Sequence, residues 1–72
     1  SKFEKANLIY LDLLNKNPDD DKVAGRYINN LLRTSKYEVA EKFLDDHRHI
    51  FSEIDFTRYK IMILIRLGKI EE

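Results

Sequence analysis

Residues 1–6 read SKFEKA and residues 35–40 read SKYEVA, a near-duplicate set 34 positions apart. How that pair is read decides the fold. Ser1 with Glu4 and Ser35 with Glu38 both have Ser-x-x-Glu spacing. In that arrangement the serine oxygen accepts from one free amide at a helix start and the glutamate reaches back to another. Any two helices can share this device. A capping box does not require an aromatic, Phe3 or Tyr37, followed three residues on by an alanine, Ala6 or Ala40. That pairing is a demand made by packing: the small residue lets a neighbouring helix come close, and the aromatic one turn earlier fills the wedge beside it.

Sliding the chain against itself by 34 keeps the match going, since Ile9 meets Phe43 and Tyr10 meets Leu44. With a shift of 33, LRTSKYE at 32–38 falls on IRLGKIE at 65–71. Both ends of a unit therefore recur.

Apolar side chains at Phe3, Ala6, Ile9, Tyr10, Leu13 and Leu14 form one stripe on a helix of about 3.6 residues per turn. Asn17-Pro18 stops that helix, because the residue before proline is pushed out of helical geometry. Asp19, Asp20 and Asp21 then suit the capping and charging of a second helix with Ala24, Tyr27, Ile28, Leu31 and Leu32 on one side. A third carries Tyr37, Ala40, Phe43, Leu44 and His47, and Ser52 caps a fourth that Gly68 ends. The spacing predicts helices over about 2–16, 20–34, 36–50 and 53–67. YKIMILIRL, at 59–67, is rich in β-branched residues and would also serve as a buried strand. Its length between a serine cap and a glycine stop favours helix, and a lone strand would have no partner.

Composition bounds the rest. The chain has 72 residues, 43% hydrophobic and 36% charged, which suits one small helical unit. A domain of this size buries only about 60% of the surface its unfolded chain exposes. With no cysteine there is no disulfide, thiolate zinc site or thiol nucleophile, in keeping with an intracellular, cytoplasmic location. Thirteen Lys plus Arg balance thirteen Asp plus Glu, so no net field draws the chain to nucleic acid or an acidic membrane. The longest apolar runs, within 8–14 and 61–65, fall far short of the roughly 20 residues that span a bilayer. Beginning at Ser1 on a helix start, the sequence is expected to be a piece of a longer chain.

A period of about 34 residues with helix, turn and helix in each unit is that of tetratricopeptide repeats, and the chain resembles that family in degenerate form. Ser35 or Gly68 matches the turn residue of the pattern, Phe3 or Tyr37 the aromatic, Ala6 or Ala40 the first alanine, Tyr10 the later aromatic and Pro18 the closing proline. Leu44, Leu13, His47, Ser52 and Ile28 depart from it. The resemblance implies an all-α fold of antiparallel helix-turn-helix repeats, a truncated α-solenoid fragment of about four helices. It also implies a non-catalytic scaffold for protein-protein interaction. In such superhelices the first helix of each pair lines a concave face. Lys22, Arg26, Asn29 and Arg33 form a polar stripe on the second helix, and Tyr59, Met62 and Arg66 a less polar one on the fourth, beginning at Asp55. By the resemblance these would receive a partner protein or an acidic peptide, with arginine forks bonding carboxylates. The stripe is equally a solvated face of an amphipathic helix.

Phe3, Ala6, Tyr10, Tyr37, Ala40, Leu44, Ile61 and Leu64 are expected at packing positions. The fourth helix is apolar almost all round and needs a cover, so a homo-oligomer, a bound partner or more chain is expected rather than a stable monomer. The competing role is a structural or oligomerisation element, or a regulatory repeat appended to a larger enzyme or complex subunit. Asp45 and His49 share a helical face, but two ligands do not make a metal site, and His47 reads as a partly buried packing residue. Asp19 to Asp21 lack the loop of a calcium site. Gly25 either permits close approach of a neighbour or ligand, or merely weakens the helix. Two histidines, scattered serines and two glycines assemble neither a catalytic set nor a phosphate loop, so no enzyme activity and no cofactor are expected.

Overall fold

Helix caps set the frame of the molecule. The computed structural model describes residues 2–71. Among them the chain is all-α, with α1 at Lys2–Lys16, α2 at Asp21–Arg33, α3 at Tyr37–Asp46, a single 3-10 turn at Arg48–Ile50 and α4 at Glu53–Arg66. Asp20 starts α2, its Oδ1 accepting from the Val23 amide at 3.2 Å. Ser52 starts α4 in the same way, its Oγ accepting from the Asp55 amide at 3.1 Å. Each cap occupies a backbone donor that would otherwise be unsatisfied at the helix start. The segment at 59–66 is helical, with Leu67 as the cap that ends it, so the strand alternative is settled against.

Ser35 does not cap α3. Its φ is 60°, in the left-handed region, and the residue that precedes α3 is Lys36, which makes no side-chain cap bond. Ser35 instead closes α2. Its amide donates to Leu32 O at 3.2 Å and the next amide, Lys36, to Leu31 O at 2.8 Å, the paired bonds of a Schellman turn. Gly68, with φ 73°, repeats the arrangement after α4, as Gly68 and Lys69 amides donate to Ile65 and Leu64 carbonyls at 3.0 and 2.9 Å. The match at a shift of 33 is thus one turn geometry made twice. Ser1, and with it the expected capping pair with Glu4, lies outside the described residues.

α3 is shorter than its periodicity predicts, ending at Asp46 rather than near Ile50. The cause is local. The Phe43 carbonyl accepts from the His47 amide at 3.0 Å and from His47 Nδ1 at 2.9 Å, which fixes the imidazole proton on Nδ1 because a carbonyl can only accept. The ring lies stacked on Phe43 at 4.1 Å, and the backbone at His47 leaves helical geometry with ψ 25°. A 3-10 turn then carries the chain to Ser52.

Each helix packs chiefly on its neighbour in sequence, α1 on α2, α2 on α3 and α3 on α4. The resulting slab is 36 × 29 × 15 Å across its Cα atoms. Its core is made by Leu14, Ala24, Tyr27, Ile28, Leu31, Ala40, Leu44 and Ile63, with α2 giving the largest share. Ile28, Leu31, Leu44 and Ile63 are the largest fully buried side chains, each worth roughly 2 kcal/mol against leaving it in water. Phe43 meets Tyr27 edge-on at 4.8 Å and ties α3 to α2. Of the expected packing residues, Ala40 and Leu44 are fully buried, Phe3, Ala6, Tyr10, Tyr37 and Leu64 are half-buried, and Ile61 is exposed. α4 buries one residue completely, Ile63, and leaves Ile54, Ile61 and Met62 exposed. No helix among the described residues is long and apolar enough to cross a membrane.

Asn7 is the exception inside. It is buried on α1, and its Oδ1 has no hydrogen-bond partner among the described residues.

Candidate functional site: a groove between α2 and α4

α2 and α4 come together at Gly25. A β-carbon there would lie 2.7 Å from the Tyr59 hydroxyl, so the absence of a side chain lets the tyrosine settle across α2. Burial pushes the Tyr59 phenol above its ordinary pKa, and the Asp55 carboxylate one turn away adds to the effect. Tyr59 is held from the other side by Phe51, edge-on at 5.7 Å.

From that contact a furrow runs along both helices. Its first half, about 310 Å³, is lined by Lys22, Arg26 and Asn29 of α2 and by Asp55 and Tyr59 of α4. Its second half, about 330 Å³, is lined by Asn29, Leu32 and Arg33 with Met62 and Arg66. Asn29 belongs to both, so the two halves are continuous. Lys22, Arg26, Asn29, Arg33, Tyr59, Met62 and Arg66 therefore line one surface, as the spacing of the two stripes places them. A side branch toward α1 adds Tyr10 and Asn30. Tyr10 was expected only as a packing residue, and nothing in its periodicity distinguishes a wall of the groove from the core beside it. Asp21 joins Asp55 at the N-terminal end of the furrow.

Charge is unevenly used around the molecule. Lys60 donates to both carboxylate oxygens of Asp45 at 2.9 Å and approaches Glu41 at 3.4 Å, and Lys69 reaches the other Glu41 oxygen at 3.4 Å. The hydrogen bond that Lys60 donates to Asp45 leads in raising the Lys60 pKa above its ordinary value. In the groove, by contrast, Lys22, Arg26, Arg33 and Arg66 have no ion-pair partner within bonding distance among the described residues. Arg33 lies over the Phe3 ring at 5.4 Å, a contact that orients the guanidinium without neutralising it. Four cations face two carboxylates along the furrow, and the excess lies toward Arg33 and Arg66.

The chain matches no known protein family, no curated protein and no solved structure. What the groove does has to come from its chemistry. It has cationic forks, one amide, a thioether and a phenol, open to solvent. No group of three or more His, Cys, Asp or Glu that could hold a metal gathers among the described residues. Asp45 is engaged by Lys60, while His49 lies 3.5 Å from Asp19.

Proposed function

We propose that this chain is a non-catalytic protein-interaction module of tetratricopeptide-like, solenoid type, and that it holds an acidic peptide or acidic segment of a partner protein along the α2–α4 groove. The observation that carries the reading is the set of cations, Lys22, Arg26, Arg33 and Arg66, with no ion-pair partner among the described residues, sharing one furrow on a chain whose formal net charge is +0. Arginine forks bond carboxylates in a bidentate way and lose little of their own freedom in doing so. Met62 and Tyr59 supply an adaptable apolar floor for a ligand side chain. Asp21 and Asp55 repel acid at the N-terminal end, so the ligand's carboxylates sit toward Arg33 and Arg66 and its register is fixed. The resemblance in repeat period and in Phe3-Ala6 and Tyr37-Ala40 supports the same use of the face.

The test is an NMR titration of the labelled chain with an Asp/Glu-rich peptide and with its Lys-substituted counterpart. Shifts are expected to concentrate at Arg26, Asn29, Arg33 and Arg66 with the acidic peptide alone, and to weaken with salt. The Arg26→Glu/Arg33→Glu variant should bind at least about tenfold more weakly, about 1.4 kcal/mol, with unchanged helicity. Equal response to both peptides, or binding indifferent to the double reversal, removes the reading. A second role, as a structural or oligomerisation element, is favoured by the exposure of Ile54 and Ile61 on α4.

A further inference from the structure

The recurrence at 34 and 33 makes α1 the counterpart of α3 and α4 the counterpart of α2. Burial can then be compared position by position. On α2, Ala24 and Ile28 are 0% exposed and Leu31 is 2% exposed, all in the cluster shared with Ala40 and Leu44 of α3. Their counterparts on α4 are Thr57, Ile61 and Leu64. Ile61 is 46% exposed, and Ile54 beside it 68%. On α3, Ala40 lies in the shared core and Phe43 meets Tyr27 of α2 at 4.8 Å, with His47 stacked on Phe43. Their counterparts on α1 are Ala6, Ile9 and Leu13. Ile9 is 60% exposed and Leu13 41%.

One internal interface, α2 against α3, is thus present a second time in two separated halves. The α2-like half is the Ile54-Ile61-Leu64 face of α4. The α3-like half is the Ala6-Ile9-Leu13 face of α1. The two lie at opposite ends of the sequence of helix contacts, since α1 packs chiefly on α2 and α4 on α3. One copy cannot join them within itself. Two copies can. We infer that the chain associates head to tail with a second copy of itself, the Ile54-Ile61-Leu64 face of α4 packing on the Ala6-Ile9-Leu13 face of α1 of the next copy, as α2 packs on α3 inside.

The occupant follows from the positions: each face holds the places that, at the 33- and 34-residue recurrence, correspond to one side of the α2–α3 contact the fold already makes, with Ile9 where α3 has Phe43 and Ile61 where α2 has Ile28. The contact is heterologous, so it leaves one free face at each end of any pair and continues into longer assemblies unless it closes into a ring. It leaves the groove uncovered, because Lys22, Arg26, Asn29 and Arg33 lie on the far side of α2 from Ala24, Ile28 and Leu31. Self-association and peptide binding are therefore read separately, and either can fail alone.

Sedimentation velocity on the wild-type 72-residue chain and on two single variants, Ile9→Glu and Ile61→Glu, tests the inference. Both substitutions are at exposed positions, and circular dichroism verifies that each variant remains helical. The wild type is expected to grow past the dimer as concentration rises. Each variant alone should be confined to monomer, since it keeps one good face and loses the other. Mixed in equal amounts they should form a heterodimer that stops there, Ile61 of the Ile9→Glu chain seated on Ile9 of the Ile61→Glu chain. A wild-type chain that stays monomeric to about 1 mM leaves the faces to another occupant and overturns the inference. A pairing lost in Ile61→Glu but kept by Ile9→Glu alone would mean α4 against α4 in a two-fold dimer, and overturns it as well.

Discussion

The phenolic oxygen of Tyr59 occupies the space a side chain on Gly25 would need: a β-carbon built there would stand 2.7 Å from it. Glycine in mid-helix normally costs about 1 kcal/mol relative to alanine, so Gly25→Ala on an isolated helix would be a gain. Here the methyl group displaces a ring that is also packed against Phe51. We expect Gly25→Ala to destabilise the wild type by about 1 kcal/mol and to stabilise a Tyr59→Phe background by about 1 kcal/mol, the helix-propensity gain emerging once the hydroxyl is gone. Urea unfolding of the four proteins measures both. Equal effects in the two backgrounds would mean that Tyr59 does not rest on Gly25.

Ser35 holds a left-handed φ of 60° that Gly68 adopts without strain at the equivalent turn. A non-glycine residue there costs roughly 1–2 kcal/mol, of which glycine returns part through its larger freedom in the unfolded chain. Ser35→Gly should therefore stabilise the fold by about 0.5–1 kcal/mol. The bond lost, Tyr37 hydroxyl to Ser35 Oγ, is exposed and 3.4 Å long, so it offsets little. The reverse change at the second turn, Gly68→Ala, should cost about 1 kcal/mol. Thermal unfolding reads the two shifts as opposite in sign.

Stability is expected to fall in alkali. Burial holds the Tyr27 phenol above its model-peptide value of 10.0, burial and Asp55 do the same for Tyr59, and the Asp45 bond raises Lys60 above 10.5. In each case the folded chain binds its proton more tightly than the unfolded chain. Above about pH 10 the unfolded state therefore releases protons first, and stability declines with rising pH while remaining full below that range. Denaturant midpoints at neutral and alkaline pH check the direction. Tyr27→Phe should flatten part of the decline, because Tyr27 is the most deeply buried of the three.

The elements were legible in the sequence because their signals are local. Asp20 and Ser52 cap helices by accepting from amides three residues on, those of Val23 and Asp55, and Pro18 and Gly68 act on the backbone beside them. The stripe from Lys22 to Arg33 was legible for the same reason, since helical period alone places it opposite Ile28 and Leu31. Ser35 shows where that locality ends. Its Ser-x-x-Glu spacing reads as a cap, yet the two Schellman bonds of the preceding helix claim its backbone first. His47 likewise looks like one more step of an apolar stripe, yet α3 ends there, with the imidazole bonded to the Phe43 carbonyl of its last turn. The partner of Gly25 lies 34 residues away on α4, and Lys60 reaches Asp45 and Glu41 across another helix pair. Such contacts depend on how helices pack, which periodicity does not encode.

The neighbour-on-neighbour packing of the helices also governs how the fold comes and goes in time. Contacts between elements adjacent in sequence require short loops to close, so chains built this way fold rapidly. α2 and α3 sit inside this succession with a helix packed on either flank, whereas α1 and α4 stand at its two ends and still close the shared core through Leu14 and Ile63.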